Sequence, residues 1–248
     1  MGKIIPIYSE EIINEYKDVL SCKNVRYNFN DKSNKKMREV NPKDTARAEA
    51  FELWMKSPMP MVTLTKTLDI SRLLKLSKKR GLKLNMLMAW CIGRAAQKVK
   101  EFYMLPVGNK LIEYDKLAID VIVHNSRGSI SFCNIPLRDN LIEFNNEYLR
   151  LTKEAAVKCE GNTIEDAMVI GTSALVQTEL DCIVNQYTEL FRNPIVMWGK
   201  YHKGFWRTTL PVSFQFHHVQ MDGMHAATFL QTLQQEIYNI YHNALRTL

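Results

Sequence analysis

No apolar run in this sequence approaches the ~20 residues that a membrane-spanning helix needs. The first residues, MGKIIPIYSEE, lack the apolar stretch and small-residue cleavage site of a secretory signal. Pro6 stands where an N-myristoylation signal wants Ser or Thr. The expected compartment is therefore cytoplasmic, with no membrane partner. Five cysteines, Cys22, Cys91, Cys133, Cys159 and Cys182, are scattered, odd in number and free of any CxxC pair. That pattern argues against a zinc site and against a disulfide framework, and it fits reduced thiols. No RNP-like, zinc-finger or helix-turn-helix signature is present, so no nucleic-acid partner is expected. Repeats of solenoid period and low-complexity linkers are also missing.

What is present is an ordinary globular composition: 248 residues, 46% hydrophobic and 24% charged. A chain of that length buries a sizeable core without staples. The expectation is a single domain over residues 1–248. The net charge is +7. Its basic residues are spread out, and the runs Lys32–Arg38 and Lys75–Arg80 read as a solvated loop and a helix face. Such a surface suits a ligand that carries phosphates.

Periodicity places the elements. Glu10–Leu20 reads as a short helix and Asn28–Pro42 as a polar loop. Lys43–Lys56 reads as a helix bounded by Asn41-Pro42 and Ser57-Pro58. Met61–Leu68 alternates as a strand. Ile70–Lys79 is a short amphipathic helix closed by Gly81. Asn85–Val99 is apolar nearly all round, which predicts a buried helix. Gly108-Asn109 marks a hairpin turn. Leu117–His124 and Ser129–Ile135 are strands around Asn125–Gly128, and Leu141–Lys158 is a helix. Ala167–Leu180, Ile195–Tyr201 and Thr208–His218 read as strands. From Gly223, apolar residues stepping by three and four predict a long helix. The fold class is α/β, an α+β two-layer sandwich with a mixed sheet flanked by helices.

The stretch with the most chemistry is FHHVQMDGMH, Phe216 to His225. Alternation on a strand puts Val212, Phe214, Phe216 and His218 on one face, with Ser213, Gln215 and His217 on the other. Parity thus divides the two histidines, and no HExxH or paired Cys accompanies them, so no metal is expected. Asp222 suits the N-cap of the following helix. His218 itself reads two ways on residues alone. It is either a satisfied strand-end histidine or a general base at an element end where a cleft forms.

The segment resembles the HHxxxDG motif of the chloramphenicol acetyltransferase family, within the CoA-dependent acyltransferases. PIVMWGKY, Pro194 to Tyr201, is similar to the Pro-x-x-x-x-Gly-Lys-Tyr strand that precedes the motif in that family. MHAATFLQTLQQEI resembles its C-terminal helix, and TARAEAFELW its Arg-x-x-x-Phe-Glu segment. DKLAIDVIVHNSRGSISF is similar to its central hairpin. The likeness runs from about Thr45 onward. It implies a homotrimeric, cytoplasmic acetyltransferase using acetyl-CoA as co-substrate and no metal, of the kind that confers antibiotic resistance. His218 would be the general base, facing the acceptor pocket of a neighbouring subunit. Arg47 would pair with Asp222 and support the loop carrying His218. Phe51 and Trp54 would help line the acceptor pocket, with His124 and Phe132 as further candidates.

One departure stands out. GTSALVQTELD, Gly171 to Asp181, lacks the family's Pro-Trp and Ser-Phe pairs, and Leu180 aligns with the serine that stabilises the oxyanion. Thr178 would supply a substitute hydroxyl if the register slips by two, and Ser173 lies further off. Lys203 sits where the family has a smaller polar residue near the acceptor. Two alternatives remain open: a related acyltransferase with a different acceptor, and a trimeric binding protein that has lost catalysis.

Overall fold

Ten strands and five α-helices follow Met37 in the computed structural model, which describes residues 37–189 and 191–245. These belong to a compact unit, Lys36–Leu248. The helix expected at Glu10–Leu20 lies outside the described residues.

The main sheet runs β2 (Met61–Asp69), β10 (Thr208–His217), β8 (Ile195–Gly199), β7 (Met168–Leu175), β5 (Leu117–His124), β6 (Ile130–Pro136). Strands β7 and β8 pair in parallel, as do β5 and β7; the other pairings are antiparallel. A short strand β9 (His202–Lys203) adds to β10. A separate three-stranded sheet joins β1 (Met37–Val40), β4 (Lys110–Tyr114) and β3 (Met104–Val107).

Helix α1 (Ala48–Trp54) has no fully buried residue, whereas α2 (Ser71–Arg80), α3 (Leu84–Ala96), α4 (Leu141–Lys158) and α5 (Gly223–Leu245) cover one face of the main sheet. Helix α3 packs on β5 and β7, α4 on β6 and α5 on β2. Period-two alternation supplies the apolar side from Ile119, Val121, Ile170, Val196, Val212, Phe214 and Phe216. Phe229 of α5 meets Phe214 and Phe102 with ring centroids 4.6 and 4.8 Å apart, locking helix to sheet. Burying each such ring stabilises the fold by about 1.5–3 kcal/mol. The opposite face is polar. Ser213, Gln215, His217 and Asp120 are buried there. The segment around Ile183–Asn185 covers part of it, with the Ile183 N–H donating to Ser213 Oγ and the Gln215 amide to Asn185 O.

Three expected elements differ. Met37–Val40, read as loop, is a strand, because its partner Leu111–Tyr114 lies some seventy residues away and local patterning cannot reveal it. The helix expected over Lys43–Lys56 is split into a 3₁₀ turn, Pro42–Asp44, and α1. Thr45 divides them: its hydroxyl donates to Pro42 O and accepts from the Arg47 N–H, competing with helical pairing. The strand expected to reach Leu180 stops at Leu175, where the chain turns away.

Candidate active site

Strand β10 ends at His217, and the chain turns at once. His217 O accepts from the Gln220 N–H, while the His218 N–H donates to Pro60 O at 2.8 Å. The alternation that placed His218 beside Phe216 therefore stops one residue short of it. The two histidines end in different environments. His217 is 1% exposed, and its Nδ1 accepts from the Val219 N–H at 3.1 Å. Burial, with the Arg192 charge and the neighbouring His218, pushes the His217 ring down to about 4, so it is neutral at pH 7. His218 is half-buried and lies flat on the Trp54 indole, centroids 4.4 Å apart and planes 7° from parallel. Its Nδ1 is buried without a hydrogen-bond partner among the described residues.

Arg47 holds this corner. Its Nη2 donates to His218 O at 2.5 Å, its Nε to Val219 O at 2.9 Å and its Nη1 to Asp222 Oδ2 at 3.4 Å. The guanidinium is buried, but the Asp222 side chain is 37% exposed. The shorter bonds go to the backbone around the histidine, and the carboxylate bond is the longest of the three. Asp222 also caps α5, its Oδ1 accepting from the N–H groups of Met224 and His225. Burial raises its carboxyl, but those N–H groups, the His225 ring and Arg47 together hold it below its ordinary value. Behind it, His225 Nε2 lies 3.3 Å from the buried carboxylate of Glu101. Nothing in the sequence around Glu101 pointed to that contact.

A second feature lies at the other end of the sheet. A cavity of about 620 Å³ is lined by Lys83, His124, Trp198, Lys200, Tyr201 and Leu210 among others. His124 ends β5, Gly199 ends β8 and Leu210 lies near the start of β10. Since β10 runs antiparallel to β8, His218 leaves from the opposite edge. From Leu210 to His218 the strand covers about 26 Å at ~3.3 Å per residue. Of the expected site residues, His218, Arg47, Asp222 and Trp54 come together at one end, where Phe51 lies half-buried on α1 beside Trp54. His124 lines the cavity at the other end. Phe132, on β6 and 38% exposed, pairs with Ile122 of β5, and Ile122 is a cavity residue. Among the described residues no group of three or more His, Cys, Asp or Glu is placed to hold a metal.

The family model described as "Chloramphenicol acetyltransferase" matches residues 34–234. The chain belongs to the chloramphenicol acetyltransferase family. It is 29% identical over 199 residues to chloramphenicol acetyltransferase 2 of Escherichia coli, covering 78% of this chain and 93% of that one. Identity to chloramphenicol acetyltransferase 3 of Escherichia coli is 28% over 201 residues, with the same coverage. A solved chloramphenicol acetyltransferase superposes with a TM-score of 0.71 at 17% identity, covering 81% of this chain and 99% of that one. The dihydrolipoamide acetyltransferase of Azotobacter vinelandii superposes at 0.57 with 21% identity, covering 79% and 88%. These structures share the mixed sheet with flanking helices.

Chloramphenicol acetyltransferases are acyltransferases, and this chain is one. Against that family the hydroxyls around the GTSALVQTELD strand take unexpected places. Thr178 is exposed, its Oγ1 donating to Glu179 O at 3.3 Å. Ser173 is half-buried in mid-β7, and Leu180 is half-buried beside Gly199. A Cβ on Gly199 would sit 2.8 Å from Thr178 O and 3.0 Å from Leu180 N, so the glycine lets that segment run against β8. Lys203 is exposed on the hairpin next to the cavity, 5.9 Å from the Tyr201 ring. Lys83 was not singled out in the sequence. Lys200 and Tyr201 were visible as part of the Gly-Lys-Tyr strand, though not as cavity walls.

Proposed function

We propose that this chain is a CoA-dependent O-acetyltransferase that moves acetyl from acetyl-CoA to a hydroxyl of chloramphenicol or a similar small alcohol. His218 is the general base. Its Nε2 takes the acceptor's hydroxyl proton as the oxygen attacks the thioester carbonyl. The tetrahedral intermediate then collapses, and the departing CoA sulfur recovers the proton from the imidazolium. A thioester is already activated, so positioning and one neutral imidazole supply most of what is lacking.

The observation that carries the reading is the His218 corner. Its ring rests on Trp54, its carbonyl is held by Arg47, and its neighbour His217 is buried and neutral. The cavity between Lys83 and Lys200 suits the co-substrate, because lysine ammonium groups attract phosphates. Base and cavity sit at opposite ends of one chain, so a productive site takes His218 from one subunit and the cavity from its neighbour. A homotrimer supplies that closed arrangement.

The test is thiol release from acetyl-CoA in the presence of chloramphenicol. Release that requires the alcohol and falls by ~10²–10⁴ in His218→Ala is the expected result. Turnover only with another alcohol assigns a different acceptor. CoA binding without turnover of any alcohol would leave a binding protein.

A further inference from the structure

We propose that the hairpin tip Phe205-Trp206 is a stacking platform for the purine base of the co-substrate, a subsite additional to the cavity. The inference rests on the CoA reading and extends it to the nucleotide end. Phe205 and Trp206 are 90% and 86% exposed, unlike the great majority of large apolar side chains here. They form the two-residue turn closed by the Gly204 N–H donating to Arg207 O at 2.8 Å. Their rings meet edge to face, centroids 4.8 Å apart at 83°, which covers one face of one ring and, at this exposure, leaves the other broad faces open to a planar ligand. Two large aromatics held in water at a turn mark a binding surface.

The occupant is argued from what the tip continues. Tyr201 and Leu210, on the two arms of the hairpin, line the cavity. Outward from them, His202–Lys203 pairs with Thr208–Thr209, and the turn follows. Lys203 Nζ lies over the Tyr201 ring, and Phe205 follows two residues on, at the turn. A track therefore leads from the cavity wall past a cation to an aromatic face. Lys200, Lys203 and Arg207 are exposed along it, and Glu179 lies against His202 on its flank. A ligand with an apolar arm, phosphates and a planar base matches that order: arm in the cavity, phosphates by the cations, base on the rings. Stacking of a base on an aromatic side chain is sequence-tolerant and strong.

Calorimetric titration of CoA and of S-acetylpantetheine, which lacks the nucleotide, into the full-length protein tests this. In Phe205→Ala/Trp206→Ala the CoA Kd is expected to rise about 10- to 100-fold, with the pantetheine Kd unchanged, and Trp206→Phe is expected to restore most of the affinity. Equal CoA affinity in wild type and double variant overturns the inference while the acetyltransferase reading stands. Equal losses toward both ligands overturn it as well, since the defect then lies in the cavity. Two further results reassign the tip: dissociation of the oligomer in the double variant, or vesicle binding by wild type that the variant loses without change in CoA Kd. If wild type binds neither ligand, the CoA reading itself falls and the inference with it.

Discussion

The imidazole of His218 and the indole of Trp54 lie face to face, 4.4 Å between centroids and 7° from parallel. Trp54 ends α1, and His218 lies one residue past β10, so the stack joins two elements distant in sequence. It fixes the plane of the imidazole, while the Arg47 bond to His218 O fixes the backbone beneath it.

Replacing Trp54 with Ala is expected to lower kcat about 2- to 10-fold, because an aromatic pair contributes ~0.5–1.5 kcal/mol beyond its buried area. KM for acetyl-CoA should change less than kcat, since the stack orients the imidazole rather than holding the co-substrate. Trp54→Phe should retain most of kcat. Steady-state kinetics of both variants measures the difference, and an unchanged kcat in Trp54→Ala would remove the stack from the mechanism.

Arg47 and Asp222 are expected to differ in weight despite forming a pair. Arg47→Ala strands the carbonyls of His218 and Val219 and should cost about 2–5 kcal/mol. Asp222→Ala removes a cap and a half-exposed partner, for about 1–2 kcal/mol. Thermal unfolding of the two variants gives the ranking. The folded Asp222 carboxyl is held below its ordinary value, so its contribution is present above the unfolded pKa of ~3.9 and is lost as pH falls through the lower folded value.

Asp120 works in the opposite direction. Burial raises its carboxyl to about 7, against the partial relief of the Asn134 amide and the Cys133 N–H. Between ~3.9, its unfolded value, and about 7 the folded chain keeps a proton that the unfolded chain has released. Stability should therefore fall as pH rises through that window, by at most about 4 kcal/mol, and level off above it. Asp120→Asn is expected to flatten the Tm profile there and to raise Tm at pH 8. A profile that matches wild type would show that Asp120 is ionised in the fold.

Mixing subunits tests the shared site. His218→Ala and Lys200→Glu proteins should each be nearly inactive alone. Unfolded together and refolded as mixed oligomers, they should regain about a quarter of wild-type activity, since random assortment pairs an intact base with an intact cavity in that fraction of sites. No recovery would place both groups in one subunit.

Much of this molecule is local information. Helices α2 to α5 follow from apolar spacing, and Gly81 ends α2 because its φ of +64° suits a residue without a Cβ. The capping role of Asp222 was legible in Asp-Gly before an apolar repeat, and the HHxxxDG motif, together with Arg47, named the corner that the fold assembles. Other features depended on partners distant in sequence. Met37–Val40 is a strand only because Lys110–Tyr114 lies beside it. The hairpin strand β5 carries an aspartate whose burial no window of sequence reveals. That His217 is sealed while His218 lies open on Trp54 depends on where the ladder stops, one residue before the period-two pattern suggested. The separation of His218 and the cavity to opposite ends of the sheet follows from strand order and direction. Patterning along a chain reports which side chains want to be buried, whereas the choice of partner is made by packing in three dimensions.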